Sequence, residues 1–212
     1  VFFGSQLIEL SVVDPTPTME IRYTLDGSEP SLDSDLYSGP ILLTESARLE
    51  ARTFDGAPDP SFEPSNSASG TYFALADDLR DVDSNLPIII LDTLGDGVPG
   101  TGSTSLVGMN VVAFEVSKAT GRATIDDGIV DYLGRGGARS RGSSTGSQPK
   151  HNMSFETWGP QGTDADDDFD VGWLGLAPES DWVLHAPYEF DRALIRNQLA
   201  FDMSNQMGQW AP

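Results

Sequence analysis

ARLEARTF, residues 47–54, alternates in twos: Ala47, Leu49, Ala51 and Thr53 on one side, Arg48, Glu50 and Arg52 on the other. Successive side chains of a strand point to opposite faces, so this is the pattern of a strand with one face in a core and one in water. The same pattern continues outward along the chain. In residues 20–24, Ile21 and Tyr23 read as inward and Arg22 and Thr24 as outward. Residues 7–13, 41–43 and 67–73 read as further short strands. Between them lies DGSEP, residues 26–30, whose aspartate, glycine and proline are turn formers. Short strands at regular spacing with turn residues between them predict an all-β, immunoglobulin-like sandwich over residues 1–73. Its inner faces are expected to hold Ile21, Tyr23, Leu49, Ala51 and Tyr72.

Charge narrows the function classes. The 212 residues carry 33 acids against 12 lysines and arginines, a formal charge of −21. Such a surface repels phosphate backbones, so neither nucleic acid nor an anionic membrane is expected as the main partner. Without cysteine, there is no disulfide, zinc–thiolate site or cysteine nucleophile. No apolar run reaches the ~18 residues of a membrane span. Val1-Phe2-Phe3 begins abruptly in strand-like text, which reads as the start of an excised piece of a longer protein.

Residues 74–85, with Asp77, Asp78, Asp81 and Asp83, read as a linker to a second domain over residues 86–212. LPIIILD, residues 86–92, is a continuous apolar run and predicts a central strand buried on both faces. Residues 106–116 alternate as another strand, and KATGR, residues 118–122, is a hairpin turn. Near the C-terminal end, Asp191 reads as the N-cap of a helix over residues 192–207. Leu194, Ile195, Leu199, Met203 and Met207 form its apolar stripe, with both methionines in the core and Gly208 as the stop. Arg192 and Arg196 share a helix face, and one of them is expected to pair with Asp181 or Asp191. Strands followed by a helix make this second domain α+β, so the whole chain is mixed.

The second domain centres on YLGRGGARSRGSSTGSQPKHNMSFE, residues 132–156. Arg135, Arg139, Arg141 and Lys150, a third of the chain's positive charge, lie here, and no acid falls between Asp131 and Glu156. Two strands flank a Gly/Ser-rich turn at residues 142–147, whose N–H groups and hydroxyls suit an anion. The competing reading is a solvated hairpin loop. The segment is not a P-loop, because GxxxxGK[ST] is absent. Asp164, Asp166, Asp168 and Asp170 alternate as a calcium loop begins, yet the glycine and bidentate glutamate of such a loop are missing. A solvated acidic loop is therefore the weightier reading there, with Ca²⁺ as the alternative. His151 and His185 are the only histidines and no GxSxG elbow exists, which speaks against a Ser–His–Asp hydrolase.

Two resemblances add to this. IRYTLDGSEP (residues 21–30), YSGPI (37–41) and LEARTFD (49–55) resemble, in order, the C-terminal β-sandwich module of chitobiase and β-hexosaminidase enzymes. That implies a non-catalytic spacer or adhesion element, with carbohydrate binding sometimes supposed. LPIIILDTLG (residues 86–95), ARSRGSSTGSQPKHNMSFETW (138–158) and WLGLAPESDWVLHAPYEFDRALIRNQLAFDMSNQMGQWAP (173–212) resemble the spore-coat protein H family of atypical kinases.

The second resemblance implies a kinase-like N-terminal portion from a secreted or cell-surface bacterial protein. It implies ATP with Mg²⁺ as cofactors and a serine-containing protein as substrate. Arg139, Arg141, Ser143 and Ser144 then form the phosphate-side hairpin, and Lys150 contacts phosphate. His151 departs from the family's second lysine at this point. The family's metal-binding and catalytic acids lie beyond residue 212, so the catalytic residues are not assigned. The rival reading is a structural, adhesive or carbohydrate-binding module of a surface protein, with a cell-surface polysaccharide as partner. A glycosidase ranks last, because no feature singles out the required carboxylate pair.

Overall fold

A computed structural model describes residues 1–58, 62–100, 104–142, 148, 150, 152–159, 167–186, 191, 193 and 195–210. The alternating stretch at residues 47–54 becomes strand β6 of a sandwich. In chain order the strands are β1 (Phe2–Phe3), β2 (Gln6–Ile8), β3 (Met19–Thr24), β4 (Asp35–Leu36), β5 (Ile41–Leu43), β6 (Ala47–Asp55) and β7 (Ala68–Tyr72). One sheet runs β4-β3-β6-β7, and β2 pairs with β5 as its cover. Between them Phe2, Ile8, Ile41, Leu43, Ala47 and Leu49 form the buried core, with Tyr23 and Tyr72 packed against it. The inward phase read from residues 47–51 is the phase the structure adopts: Leu49 and Ala51 are buried.

Next come β8 (Ala74–Leu75), a 3₁₀ turn (Asp77–Leu79), β9 (Asp83–Ser84), β10 (Ile88–Asp92), β11 (Val107–Glu115), β12 (Ala123–Thr124), β13 (Ile129–Ser140), β14 (Met153–Trp158) and β15 (Asp181–Leu184). Among the described residues one α-helix, α1, spans Arg196–Gln206. The five-stranded sheet β10-β11-β13-β14-β15 is antiparallel throughout, so each strand lies beside its neighbour in sequence within the sheet. One face holds Met109, Val111, Ala113, Ala138 and Phe155 under Trp173. The other holds Val112 and Phe114, joined by Phe73 and Ile125.

Three expectations are corrected, on β10, on helix α1 and on Asp191. The stretch at residues 74–85, read as a linker, is itself docked. Within it β8 pairs in parallel with β1, β9 pairs with β12, and Leu75 and Leu79 pack on the second sheet's cluster. Strand β10 is an edge strand, hydrogen-bonded only to β11 among the described strands. Ile88 and Ile90 pack on one face and Leu91 on the other, yet the run is only half-buried and Ile89 stays 38% exposed, because an edge strand has a neighbour on one side only. Helix α1 starts at Arg196 and buries none of its residues, so its apolar side chains are not core: Leu199 is 52% exposed, Met203 53% and Met207 71%. The three-and-four spacing put them on one side of the helix, but no other described element covers that side. Asp191 is not the N-cap residue; it accepts the Arg196 N–H at 2.6 Å from four residues ahead of Ile195, which holds that position. Arg196 also bridges Asp191, one of the alternatives the sequence left open. Leu194 and Arg192 lie outside the described residues.

The two units meet along the face of β6 that alternation alone assigned to water. Glu50 is 2% exposed and Arg135, from β13, 1%. Arg135 Nη2 donates to Glu50 Oε1 at 2.8 Å. Beside this pair, Arg48 Nε donates to Asn110 Oδ1 at 2.6 Å, and Asn110 is the cross-strand partner of Arg135. The DGSEP turn also sits here: a Cβ on Gly27, at φ +86°, would meet Arg48 Cβ and Cδ at 3.1 Å and Arg135 Nη1 at 3.6 Å.

Two stability outcomes follow from this arrangement. Glu50→Ala leaves a buried guanidinium without its counterion and lowers unfolding free energy by about 3–5 kcal/mol in urea titration. The double replacement Glu50→Leu/Arg135→Met loses far less, because both desolvation penalties go together. Leu199→Ala and Met203→Ala change stability by less than about 0.5 kcal/mol each, as exposed sites do, where core methionines would lose 2–5 kcal/mol.

Candidate functional site: the β13–β14 hairpin

The hairpin is positioned by packing at its base. Gly136 and Gly137 face opposite sides of the sheet, and neither has room for a side chain. A Cβ on Gly136 would fall 2.2 Å from the Glu156 carbonyl oxygen, and one on Gly137 would fall 2.3 Å from the Trp158 ring. These glycines therefore serve close packing, with Trp158 lying over β13 on one face and Phe155 on the other. Trp173 then covers the Phe155 side. It stacks on Phe155 at 5.9 Å and makes edge contacts with Tyr132 at 5.3 Å and Trp182 at 5.5 Å. Leu174, in the left-handed region at φ 52°, turns the chain away, and its N–H donates to Asp131. Burial pushes the Tyr132 hydroxyl up to about 12. It stays protonated and donates to the Arg135 carbonyl at 3.4 Å.

From this base the two strands pair in register, Arg139 opposite Ser154 and Ser140 opposite Met153. The Arg141 N–H closes the ladder on the Asn152 carbonyl at 2.8 Å. Asn152 in turn ties down the far strand, its Oδ1 accepting the Ala186 N–H at 2.7 Å and facing His185 Nδ1 at 3.1 Å. His185 thus has a structural contact, in line with its place between Leu184 and Ala186.

The four cations of the segment divide. Arg135 is consumed in the seam with Glu50. Arg139, Arg141 and Lys150 are exposed, and none forms an ion pair among the described residues. Arg139 Nη1 donates to the Thr104 carbonyl at 3.3 Å. Ser143 and Ser144 lie outside the described residues, as do Pro149, His151 and most of the 142–147 turn. Four cavities lie around the sandwich and the seam, and Arg139, Arg141 and Lys150 line none of these four.

Acids gather next to Arg139. Glu156 and Asp181 are cross-strand partners, and Asp168 is bridged to Trp158. Burial raises the Glu156 carboxyl, the negative charges of Asp181 and Asp168 raise it further, and the Trp158 indole and Arg139 pull it back. Of the four aspartates weighed for calcium, Asp164 and Asp166 lie outside the described residues, while Asp168 and Asp170 are exposed. Among the described residues no group of three or more histidines and acids could hold a metal ion.

The strand order, the DGSEP turn and the closing strand of the sandwich now stand together. Residues 2–65 match the chitobiase/beta-hexosaminidase C-terminal domain. No curated protein and no solved structure matches the chain. The match covers less than a third of the 212 residues and ends before the second sheet. The match therefore takes in strands β1 to β6 of the sandwich and the turn at the seam, and stops short of β7. It says nothing of β13, which supplies the other half of the seam. Sequence reasoning missed Glu50, Arg48, Asn110 and Arg135 as a connected group. No local signal marked them, since charge at Arg48, Glu50 and Arg52 is what a strand face left in water ordinarily carries.

Since the folded form holds the Glu156 proton more tightly than the unfolded chain, its ionised form destabilises the fold above the raised value. Glu156→Gln is thus more stable than wild type at neutral pH. The difference closes as pH falls through the raised folded value toward the ordinary 4.5. Thermal unfolding of both proteins between neutral and mildly acidic pH measures this.

Proposed function

We propose that residues 86–212 belong to a phosphoryl-transfer domain of the spore-coat protein H kind, and that the β13–β14 hairpin contacts the phosphates of ATP. One observation carries this reading. Among the described residues Arg22, Arg52, Arg80, Arg122, Arg135 and Arg196 each bridge a carboxylate, whereas Arg48, Lys118, Arg139, Arg141 and Lys150 bridge none, and three of these five lie on this one hairpin. Unspent cations at one hairpin tip suit an external anion. Guanidinium forks and a lysine point charge fit phosphoryl oxygens, which gives the residues present the donor chemistry that ATP requires. The three ordered motifs of the second unit add support.

In this reading Arg139, Arg141 and Lys150 bind and orient the phosphates, with Ser143 and Ser144 as the hydroxyl-bearing turn. ATP with Mg²⁺ supplies the transferable phosphoryl group, and the acceptor is a serine of a protein partner. The reading assigns the catalytic base and the Mg²⁺-binding acids to none of the residues described here. The protein acts outside the cell or at its surface, and no described helix is long and apolar enough to cross a membrane.

A second reading has its own support. The hairpin cations line no described cavity, and the chitobiase-type match is to a module that the sequence reading took as non-catalytic. Under it the chain is a structural or adhesive surface module with a polysaccharide partner.

Calorimetry with ATP and Mg²⁺ separates the two. Binding to the folded chain that weakens about tenfold or more in Lys150→Ala, and again in Arg139→Ala/Arg141→Ala, supports the hairpin. The size follows from losing a charged hydrogen bond of ~1.5–3 kcal/mol at about 1.4 kcal/mol per decade. A folded chain that binds no nucleotide, or binds it equally well in all variants, overturns the assignment and leaves the surface module.

A further inference from the structure

The contact between Asn152 and His185 decides which ring nitrogen of His185 carries the proton. Asn152 Oδ1 accepts the Ala186 N–H at 2.7 Å, so this atom is the amide oxygen and not its nitrogen. An oxygen that faces His185 Nδ1 at 3.1 Å can only accept, and Nδ1 therefore holds a hydrogen. In the neutral ring the lone pair then sits on Nε2. His185 is exposed, and among the described residues Nδ1 is its only ring nitrogen with a hydrogen-bond partner.

The strand register sets what lies around the ring. Arg139 pairs with Ser154, and Ser154 with Val183. One row nearer the tip, the Arg141 N–H bonds the Asn152 carbonyl, and Asn152 faces His185. Residues two apart on a strand share a face. Arg139, Arg141, Ser154, Asn152, Val183 and His185 thus make two adjacent rows on one side of the sheet. Val183 is 51% exposed, so that side is open at this end. Glu156 and Asp181, opposite each other, lie on the same side but farther from the tip. Lys150 stands on the hairpin two residues before Asn152. His185 therefore borders the hairpin cations that form no ion pair, with Nε2 as its free corner.

A neutral imidazole of this tautomer offers only a lone pair at Nε2 and cannot donate to a phosphoryl oxygen. A second proton turns Nε2 into a charged donor, and histidine gains that proton within the pH 5–8 range. Arg139, Arg141 and Lys150 oppose the second proton, Glu156 and Asp181 favour it, and a phosphate in contact with Nε2 favours it directly. We propose that His185 is a further phosphate contact of the hairpin site, donating from Nε2 when its ring carries both protons, so that nucleotide affinity rises as pH falls. This rests on the hairpin reading given under the proposed function. Binding and protonation are then reciprocal: the second proton strengthens ATP binding, and bound ATP holds the second proton to higher pH.

The test uses a His151→Gln background, which leaves His185 as the only histidine of the chain. Proton–nitrogen NMR spectra of the ring are recorded with and without ATP and Mg²⁺, and calorimetry measures ATP affinity at about pH 8 and about pH 6. At the higher pH the spectra are expected to show the lone pair on Nε2. ATP then shifts the Nε2 resonance saturably and moves the ring's titration upward. Between the two pH values affinity rises about two- to fivefold more than in the same chain carrying His185→Gln, the size of one exposed charged contact. Comparing the two chains cancels the titration of ATP itself. A lone pair on Nδ1, or a pH dependence equal in both chains, overturns the proposal. If Lys150→Ala still weakens binding in that case, the hairpin reading stands without His185. A folded chain that binds no ATP at either pH overturns both.

Discussion

The buried pair of Arg135 and Glu50 governs how this chain is put together. Taking two charges out of water costs several kcal/mol per ion, and their attraction offsets this only with close geometry and further hydrogen bonds. Burial raises the Glu50 carboxyl, and the hydrogen bond and charge of Arg135 oppose that rise. The pair therefore adds less to stability than to specification. Only one placement of the sandwich on the sheet brings Glu50 to Arg135 while Arg48 reaches Asn110. Any slippage would strand a guanidinium and a carboxylate in a dry interface. A sandwich held in this way braces the second sheet.

The brace shapes the hairpin. Arg135 and Arg139 lie four apart on β13 and so share a face, but only Arg135 reaches the sandwich. The strand carries one arginine into the seam and leaves the next two in solvent. On the opposite face, Trp173 closes the sheet by ring contacts, and the Trp-Leu-Gly-Leu stretch acts there as packing and turn. The motif residues of the second unit thus do two kinds of work. The tryptophans and glycines set strand spacing, and the cations beyond them form no ion pair among the described residues. Electrostatics reinforces the division, since Glu156, Asp181 and Asp168 crowd the strand end below the tip and make a region of opposite sign.

Much of the fold was legible in the residues themselves. Alternation in residues 47–51 assigned Leu49 and Ala51 to the core, and the DGSEP turn marked a chain reversal, because side-chain period and turn chemistry are local properties. The hairpin strands and the cationic segment were likewise readable, and Asp191 was one of the two carboxylates expected for Arg192 or Arg196. The apolar run at residues 86–92 and the stripe of Leu199, Met203 and Met207 were less informative. Periodicity states which side chains share a face but not whether another element covers that face.

The sequence by itself determined the strands, the turns, the sandwich and the place where positive charge concentrates. Tertiary structure alone decided that the charged face of β6 is an interface, that Arg135 leaves the cationic cluster for Glu50, and that β10 is an edge. The reason is sequence distance: Glu50 and Arg135 are 85 residues apart, and Arg48 and Asn110 are 62 apart. No local pattern encodes a contact at that separation. A charged residue at an outward position reads as solvated until the partner that desolvates it has been folded against it.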